Sequence, residues 1–282
     1  MTDNSPSTRL QILICTIGAE GIKRVCNAAH PRIAGVEYLV LWQQPDTDIP
    51  VPEALAERTD FKVFTHRSRG ISRNRNFAIE HSSAPLALMG DDDIDYSEDG
   101  ILELLKQAEE NRDADILLCR YKSNGKYVKP YPEAACLYRN VPKGYYVSAL
   151  EIAFRPSAVR NAGLWFNENI SIGTPVLKCG EEDVFVRDAL IRKLTVMVVP
   201  ACVGSHDHAS TSERDAKQPY FAMTHGAVMM HMHPATWIPR VMVHALRESK
   251  AGRWSWWRYF TLCLKGAAYA RRNKVFKSQR VN

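Results

Sequence analysis

At 282 residues, with 45% hydrophobic content and a net charge of +6, the chain can bury a full core as one large domain or as a domain with an appendage. No apolar run approaches the ~20 residues that span a bilayer, and the polar start Met1-Thr2-Asp3-Asn4 lacks the features of a secretory signal. The seven scattered cysteines contain no Cys-x-x-Cys pair, so disulfide frameworks and zinc sites are not indicated and a cytoplasmic location is expected.

Leu10 to Cys15, Val36 to Trp42 and Phe61 to Phe64 are runs of Leu, Ile, Val and aromatic residues, each followed by polar or helix-compatible sequence. That pattern predicts strands alternating with helices. Gly21 to Ala29 suits a first helix, and Ser72 caps a second that leads through Phe77, Ala78 and Ile79 into a strand over Pro85 to Met89. Ile101, Leu102, Leu105 and Ala108 share one helical face, and Asp115 to Cys119 returns as a strand. Tyr121 to Tyr146 has no period and reads as loops, either shaped around a substrate or plainly connecting. Beyond it, Ala149 to Phe154 suits a strand, Glu182 to Arg192 a helix, Thr195 to Val199 a strand, and Ala201 to Ser205 a strand and turn. This is an α/β pattern with a mostly parallel central sheet flanked by helices. In such sheets ligands bind beyond the carboxyl ends of the strands.

The tail differs. From Arg240 to Asn282 eleven basic residues stand against one acid, Glu248. Trp254, Trp256, Trp257, Tyr259 and Phe260 are interleaved with Arg253, Arg258 and Lys265. Such a mixture suits an anionic membrane surface, here the inner face of the plasma membrane, or packing on the rest of the chain. No nucleic-acid-binding module accompanies it, so no nucleic acid partner is expected. His225, His231 and His233 lie in a Met- and Val-rich stretch that reads as packing, and Pro234 separates them from His244. A main domain over 9–218 with a helical, basic extension over 219–282 is the expected division.

The chemistry is concentrated in Asp91-Asp92-Asp93, directly after the strand-like run that ends at Met89. Two carboxylates ~4 Å apart repel by roughly 4 kcal/mol at an effective dielectric of 20, so such a cluster is either shed into water as a turn or binds a cation. Hard oxygen donors point to Mg²⁺ or Mn²⁺. Asp95 lies two residues further on and supports the turn. Upstream stands Gly70-Ile71-Ser72-Arg73-Asn74-Arg75-Asn76, and downstream Gly180-Glu181-Glu182-Asp183-Val184-Phe185. Guanidinium groups suit phosphate oxygens, and acids at a helix start are also favoured by the helix dipole alone.

Taken in order, these segments resemble glycosyltransferase family 2 of the bacterial polysaccharide type, over roughly residues 10 to 215. The resemblance implies a GT-A (Rossmann-like) fold and a metal-dependent, inverting transfer of a sugar from a nucleoside diphosphate donor, most simply a UDP-sugar. The acceptor would be a hydroxyl of a glycan or lipid-linked saccharide in surface polysaccharide biosynthesis. It also implies the roles. Asp93 is the direct metal ligand, Asp91 contacts ribose or metal water, and Asp92 belongs to the donor site. Arg75 and Asn76 match the family pair, with Arg73 beside them, and Thr16 to Gly18 form the floor of the nucleotide pocket. Gly180 and Phe185 fix a register in which Glu182 is the base and Asp183 the second candidate. His206 matches a metal- or diphosphate-binding position and favours manganese, with His208 as a phosphate or solvent contact. Where the family carries acids that read the nucleobase, this chain has Trp42-Gln43-Gln44-Pro45-Asp46. Gln44 is the candidate for a uracil edge, and Trp42 for stacking or packing.

Two rivals stay open at this point. A nucleotidyltransferase would also use carboxylates and a divalent ion on an α/β sheet, although the first strand carries no Gly-rich phosphate loop. A membrane-associated saccharide-binding protein without catalysis is the other.

Overall fold

The computed structural model describes residues 7–44, 46, 48–206, 217–277 and 279–280. They fall into two compact units, one drawn from 1–69, 74–164 and 189–208, the other from 70–73, 165–188 and 209–282.

The first unit is built on a sheet. Its early elements are β1 (Leu10–Ile17), α1 (Gly18–Asn27), β2 (Val36–Gln43), the short α2 (Glu53–Ala56) and β3 (Phe61–His66). Next come α3 (Ile71–His81), β4 (Leu86–Asp91), β5 (Asp95–Tyr96), α4 (Glu98–Glu110) and β6 (Ile116–Ser123). The rest are β7 (Lys126–Tyr127), β8 (Cys136–Leu137), β9 (Ile152–Phe154), α5 (Pro156–Asn161) and β10 (Val196–His206), while α6 (Glu181–Ile191), which precedes β10 in the chain, is drawn mainly from the second unit. The sheet runs β3-β2-β1-β4-β9-β6-β10-β5, with β7 on β6 and β8 on β10. β3, β2, β1 and β4 are mutually parallel, as are β6 and β10, while β9 runs antiparallel between the two groups. The expected α/β fold with its mostly parallel sheet is therefore present.

The apolar runs form these strands because both sheet faces are covered, which makes strand residues apolar throughout rather than in alternation. Seven of the eight β1 residues are buried, and Tyr38 and Trp42 of β2 are fully enclosed. Ser97 caps α4 by accepting from the Gly100 amide at 3.2 Å. Gly100 also lets α4 close on β10, since a Cβ there would stand 1.8 Å from the Cys202 carbonyl oxygen.

Two strands run further than the sequence suggests. β4 continues past Met89 to Asp91, where Cys15 pairs with it. β10 continues through Pro200 to His206, with register shifts on either side of Cys202 that absorb the missing proline donor. The stretch 121–146 is also more ordered than a loop. Asn124 and Gly125, both at positive φ, close a two-residue hairpin between β6 and β7.

In the second unit, α7 (Pro219–Met232), α8 (Trp237–Lys250) and α9 (Trp256–Arg272) pack with 165–188. α7 and α9 meet backbone to backbone. A Cβ on Gly226 would stand 2.0 Å from the Cys263 oxygen, and one on Gly266 1.8 Å from the Met223 oxygen. One cluster joins Ile170, Leu177 and Val184 to Ala227, Ala270 and Val275. Another holds Ala222, Val241, Ala245, Trp254, Tyr259 and Cys263. No helix among the described residues is long and apolar enough to cross a membrane.

The tail aromatics therefore do not form one exposed band. Trp254 and Tyr259 are buried, and Trp256 stacks on Phe260 with centroids 5.5 Å apart. Only Trp257 among them is largely exposed, at 63%.

Candidate active site

Asp91 is the last residue of β4, and Asp92 and Asp93 form the turn into β5. The three carboxylates are held differently. Asp92 accepts two hydrogen bonds from Arg24, at 2.8 and 2.9 Å, and one from the Thr16 hydroxyl at 2.6 Å. It ties the last turn of α1 and the end of β1 to the turn between β4 and β5. Gly21 makes this possible, because a Cβ there would lie 2.1 Å from Thr16 Oγ1 and 2.9 Å from Asp92 Oδ2. Asp91 pairs with Arg75, whose Nη2 lies 3.5 Å away and whose side chain is buried. Asp93 makes no hydrogen bond or ion pair among the described residues. Thus Thr16 and Asp92, expected at the donor, are engaged with each other, while Asp91 faces Arg75.

The helix α3 that precedes β4 is pinned by its asparagines. Asn74 donates to the carbonyl oxygens of Thr16 and Leu41, at 3.2 and 2.8 Å, and its Oδ1 lies 2.9 Å from His66 Nε2. Asn76 is fully buried. This anchoring sets Arg75 against the strand end. Both ends of the Gln44 amide are occupied by Ile49, donating to its carbonyl at 3.0 Å and accepting from its N–H at 2.5 Å. Gln44 is buried and bound to Ile49 through both ends of its amide. Trp42 is buried as well and donates to the Gly18 carbonyl at 2.9 Å, so it packs rather than stacks on a ligand.

His206 closes β10, and its ring lies 5.5 Å from that of Tyr121 in a stacked geometry. β5 pairs with this end of β10, Asp95 opposite Ser205. Asp91 and Asp93 are donors of the kind a hard divalent cation takes, and an imidazole suits manganese. Among the described residues no group of three or more His, Cys, Asp or Glu side chains is gathered closely enough to hold a metal. His208 lies outside the described residues.

The 121–151 segment holds a feature the sequence did not reveal. Lys129 and Glu151 form an ion pair at 2.9 Å with both side chains wholly buried. Tyr131 and Tyr145 donate to the same carboxylate. The rings of Tyr146, Tyr145, Tyr121 and Tyr131 surround the ammonium at 4.1 to 5.7 Å. Burial pushes the Glu151 carboxyl up from its ordinary range even with Lys129 beside it.

In the second unit, Gly180 at φ +82° turns the chain into α6, whose first turn carries Glu181, Glu182 and Asp183. Glu181 is buried, while Glu182 and Asp183 are half-buried. Phe185, one turn on, stacks on Phe166 at 4.2 Å. Burial pushes the preceding Cys179 thiol up to about 12, and the three neighbouring carboxylates add to the effect. Arg73 ion-pairs with Glu168 at 3.3 Å, so its guanidinium already has a carboxylate partner.

Residues 45–156 match the family described as Glycosyl transferase family 2. That stretch contains Arg75, Asn76 and the acidic turn, and ends before Glu182 and His206. No curated protein matches the sequence of this chain. Among solved structures, the crystal structure of S. aureus TarS 1-349 is 15% identical and superposes with a TM-score of 0.61, covering 94% of this chain and 92% of that one. The same TarS fragment in complex with UDP-GlcNAc is 14% identical with a TM-score of 0.62, at the same coverages. Its complex with UDP gives 14% and 0.61. At such identities the likeness shows a shared fold. The family that the chain's motifs resemble is the one that its segment 45–156 matches.

Proposed function

We propose that this protein transfers a sugar from a nucleoside diphosphate sugar, with UDP as the nucleotide, to a hydroxyl of a glycan or lipid-linked saccharide during surface polysaccharide assembly. The observation that carries the reading is the acidic turn at the carboxyl end of β4, inside the family-matched stretch, with buried Arg75 directed at Asp91. UDP is preferred because TarS, which shares the fold, has been crystallised with UDP-GlcNAc and with UDP. Residues 9–218 would form the catalytic domain and 219–282 its extension.

Asp91 and Asp93 would hold Mn²⁺ or Mg²⁺, whose charge stabilises a departing diphosphate; His206, which forms no three-ligand cluster with them among the described residues, would instead contact the diphosphate. Arg75 carries a second positive charge to the same strand end and, with Asn76, contacts the donor. Asp92, Thr16 and Gln44 act at one remove, keeping β1, α1 and Ile49 in place. Glu182 takes the proton from the acceptor hydroxyl as it attacks the anomeric carbon from the face opposite the diphosphate, which inverts that centre. Asp183 is the alternative base.

Incubation with a panel of nucleotide sugars, Mn²⁺ and glycan acceptors tests this reading. It predicts release of UDP from one UDP-sugar with the product linkage inverted. Pyrophosphate release from a nucleoside triphosphate, or retention of anomeric configuration, would overturn it.

A further inference from the structure

A helix at a protein surface ordinarily turns its apolar face inward and its polar face to water. α8 breaks that pattern. Val241 and Ala245 are fully buried against Trp254, Tyr259 and Cys263, yet Ile238, Met242, Val243 and Leu246 are 45, 40, 48 and 50% exposed. At ~100° per residue, these four occupy an outward arc of about 140°. Arg240 and Arg247 lie along one border of that arc and Lys250 at its C-terminal end, all three exposed. Glu248, the one acid between Arg240 and Asn282, is turned to Arg253 at 2.7 Å. On α8 the apolar strip is therefore bordered by cations, and the helix's one carboxylate is held by Arg253.

That charge pattern selects the occupant. A second copy of this chain would bring like charges together across the same strip, which is repulsive. A bilayer with anionic headgroups supplies both what the strip lacks and what its border lacks, an apolar phase beneath a layer of phosphates. We infer that the outer face of α8 docks in the plane of an anionic lipid surface, with Ile238, Met242, Val243 and Leu246 entering the headgroup boundary and Arg240, Arg247 and Lys250 on the phosphates. The inference goes beyond the transfer reaction and does not depend on it. It also places the contact on α8 instead of on the tryptophans of the tail.

Flotation of the full chain with phosphatidylcholine vesicles, with and without phosphatidylglycerol, tests the docking. The wild-type protein is expected to float only with the anionic vesicles. M242D/L246D, both exposed, should lower the bound fraction about tenfold with an unchanged melting curve. R240Q/R247Q/K250Q keeps the apolar strip and should lose about fivefold per charge, together with the preference for phosphatidylglycerol. Absence of wild-type binding, or binding unchanged in both variants, would overturn the inference. So would a concentration-dependent dimer that M242D/L246D dissolves, because the strip would then be the interface between two copies.

Discussion

The two runs of adjacent acids are sorted by different means. At the end of β4, Asp92 is drawn in by Thr16 and by Arg24, which lies 68 residues away in sequence, while its neighbour Asp93 has no such partner among the described residues. At the start of α6, Glu181 is buried and Glu182 and Asp183 are left half-buried by the helical turn itself. Each run thus commits one carboxylate to the fold, Asp92 by hydrogen bonding and Glu181 by burial. Three identical letters in a row are not three equivalent groups.

The division can be broken most severely at α6. Glu182→Gln is expected to lower transfer by roughly 10²–10⁴-fold, the usual contribution of a general base, with UDP binding retained. Asp183→Asn should cost much less. Steady-state rates of both variants check this, and the opposite order would move the base to Asp183.

A fully buried carboxylate offers the sharpest contrast in stability. Lys129→Met leaves Glu151 charged and enclosed, at an expected cost of about 3–5 kcal/mol in denaturant unfolding. Lys129→Met with Glu151→Gln should recover most of that loss. If the double variant is no better than the single, the pair does not carry the stability of the 121–151 segment.

Histidines extend the comparison to pH. Burial holds the His30 imidazole down at about 4 in the first unit. In the second, burial and then His244 hold His225 down at about 3, beside the Tyr259 hydroxyl at 2.9 Å. Both lie below the ordinary 6.5, so between these values the unfolded chain binds more protons than the folded one. Stability from this source is full above pH 6.5 and is lost as pH falls toward 3, by on the order of 3 kcal/mol per histidine. Urea midpoints measured across that range check the sign. A smaller effect is expected from Gly21→Ala, whose Cβ would intrude on the Thr16–Asp92 hydrogen bond and cost about 1–3 kcal/mol.

Much of the sheet was legible because parallel strands buried on both faces leave uninterrupted apolar runs, as in Leu10 to Cys15. The Asn124-Gly125 hairpin was not read, although that dipeptide marks a type I′ turn, because its surroundings carry no strand period. Lys129 and Glu151 were not legible. They stand 22 positions apart and meet only when the chain between them folds back, and no local period records that. The same holds for Arg24 on Asp92 and for Gln44 on Ile49. In the tail, aromatic residues between basic ones suggested a surface, whereas helix phase decides which face water. It buries Trp254 and Tyr259 and leaves Leu246 outside. His244 shows a related limit. Pro234 does end the preceding helix, yet the chain turns back and sets the His244 ring 4.4 Å from that of His225.

The most direct measurement is calorimetric titration of UDP in the presence of Mn²⁺ into the wild-type protein, Asp93→Asn and Asp92→Asn, with melting curves for each. The account predicts that Asp93→Asn loses Mn²⁺-dependent UDP binding at unchanged melting temperature, whereas Asp92→Asn melts lower and still binds. UDP binding by Asp93→Asn with wild-type affinity and metal dependence would contradict it.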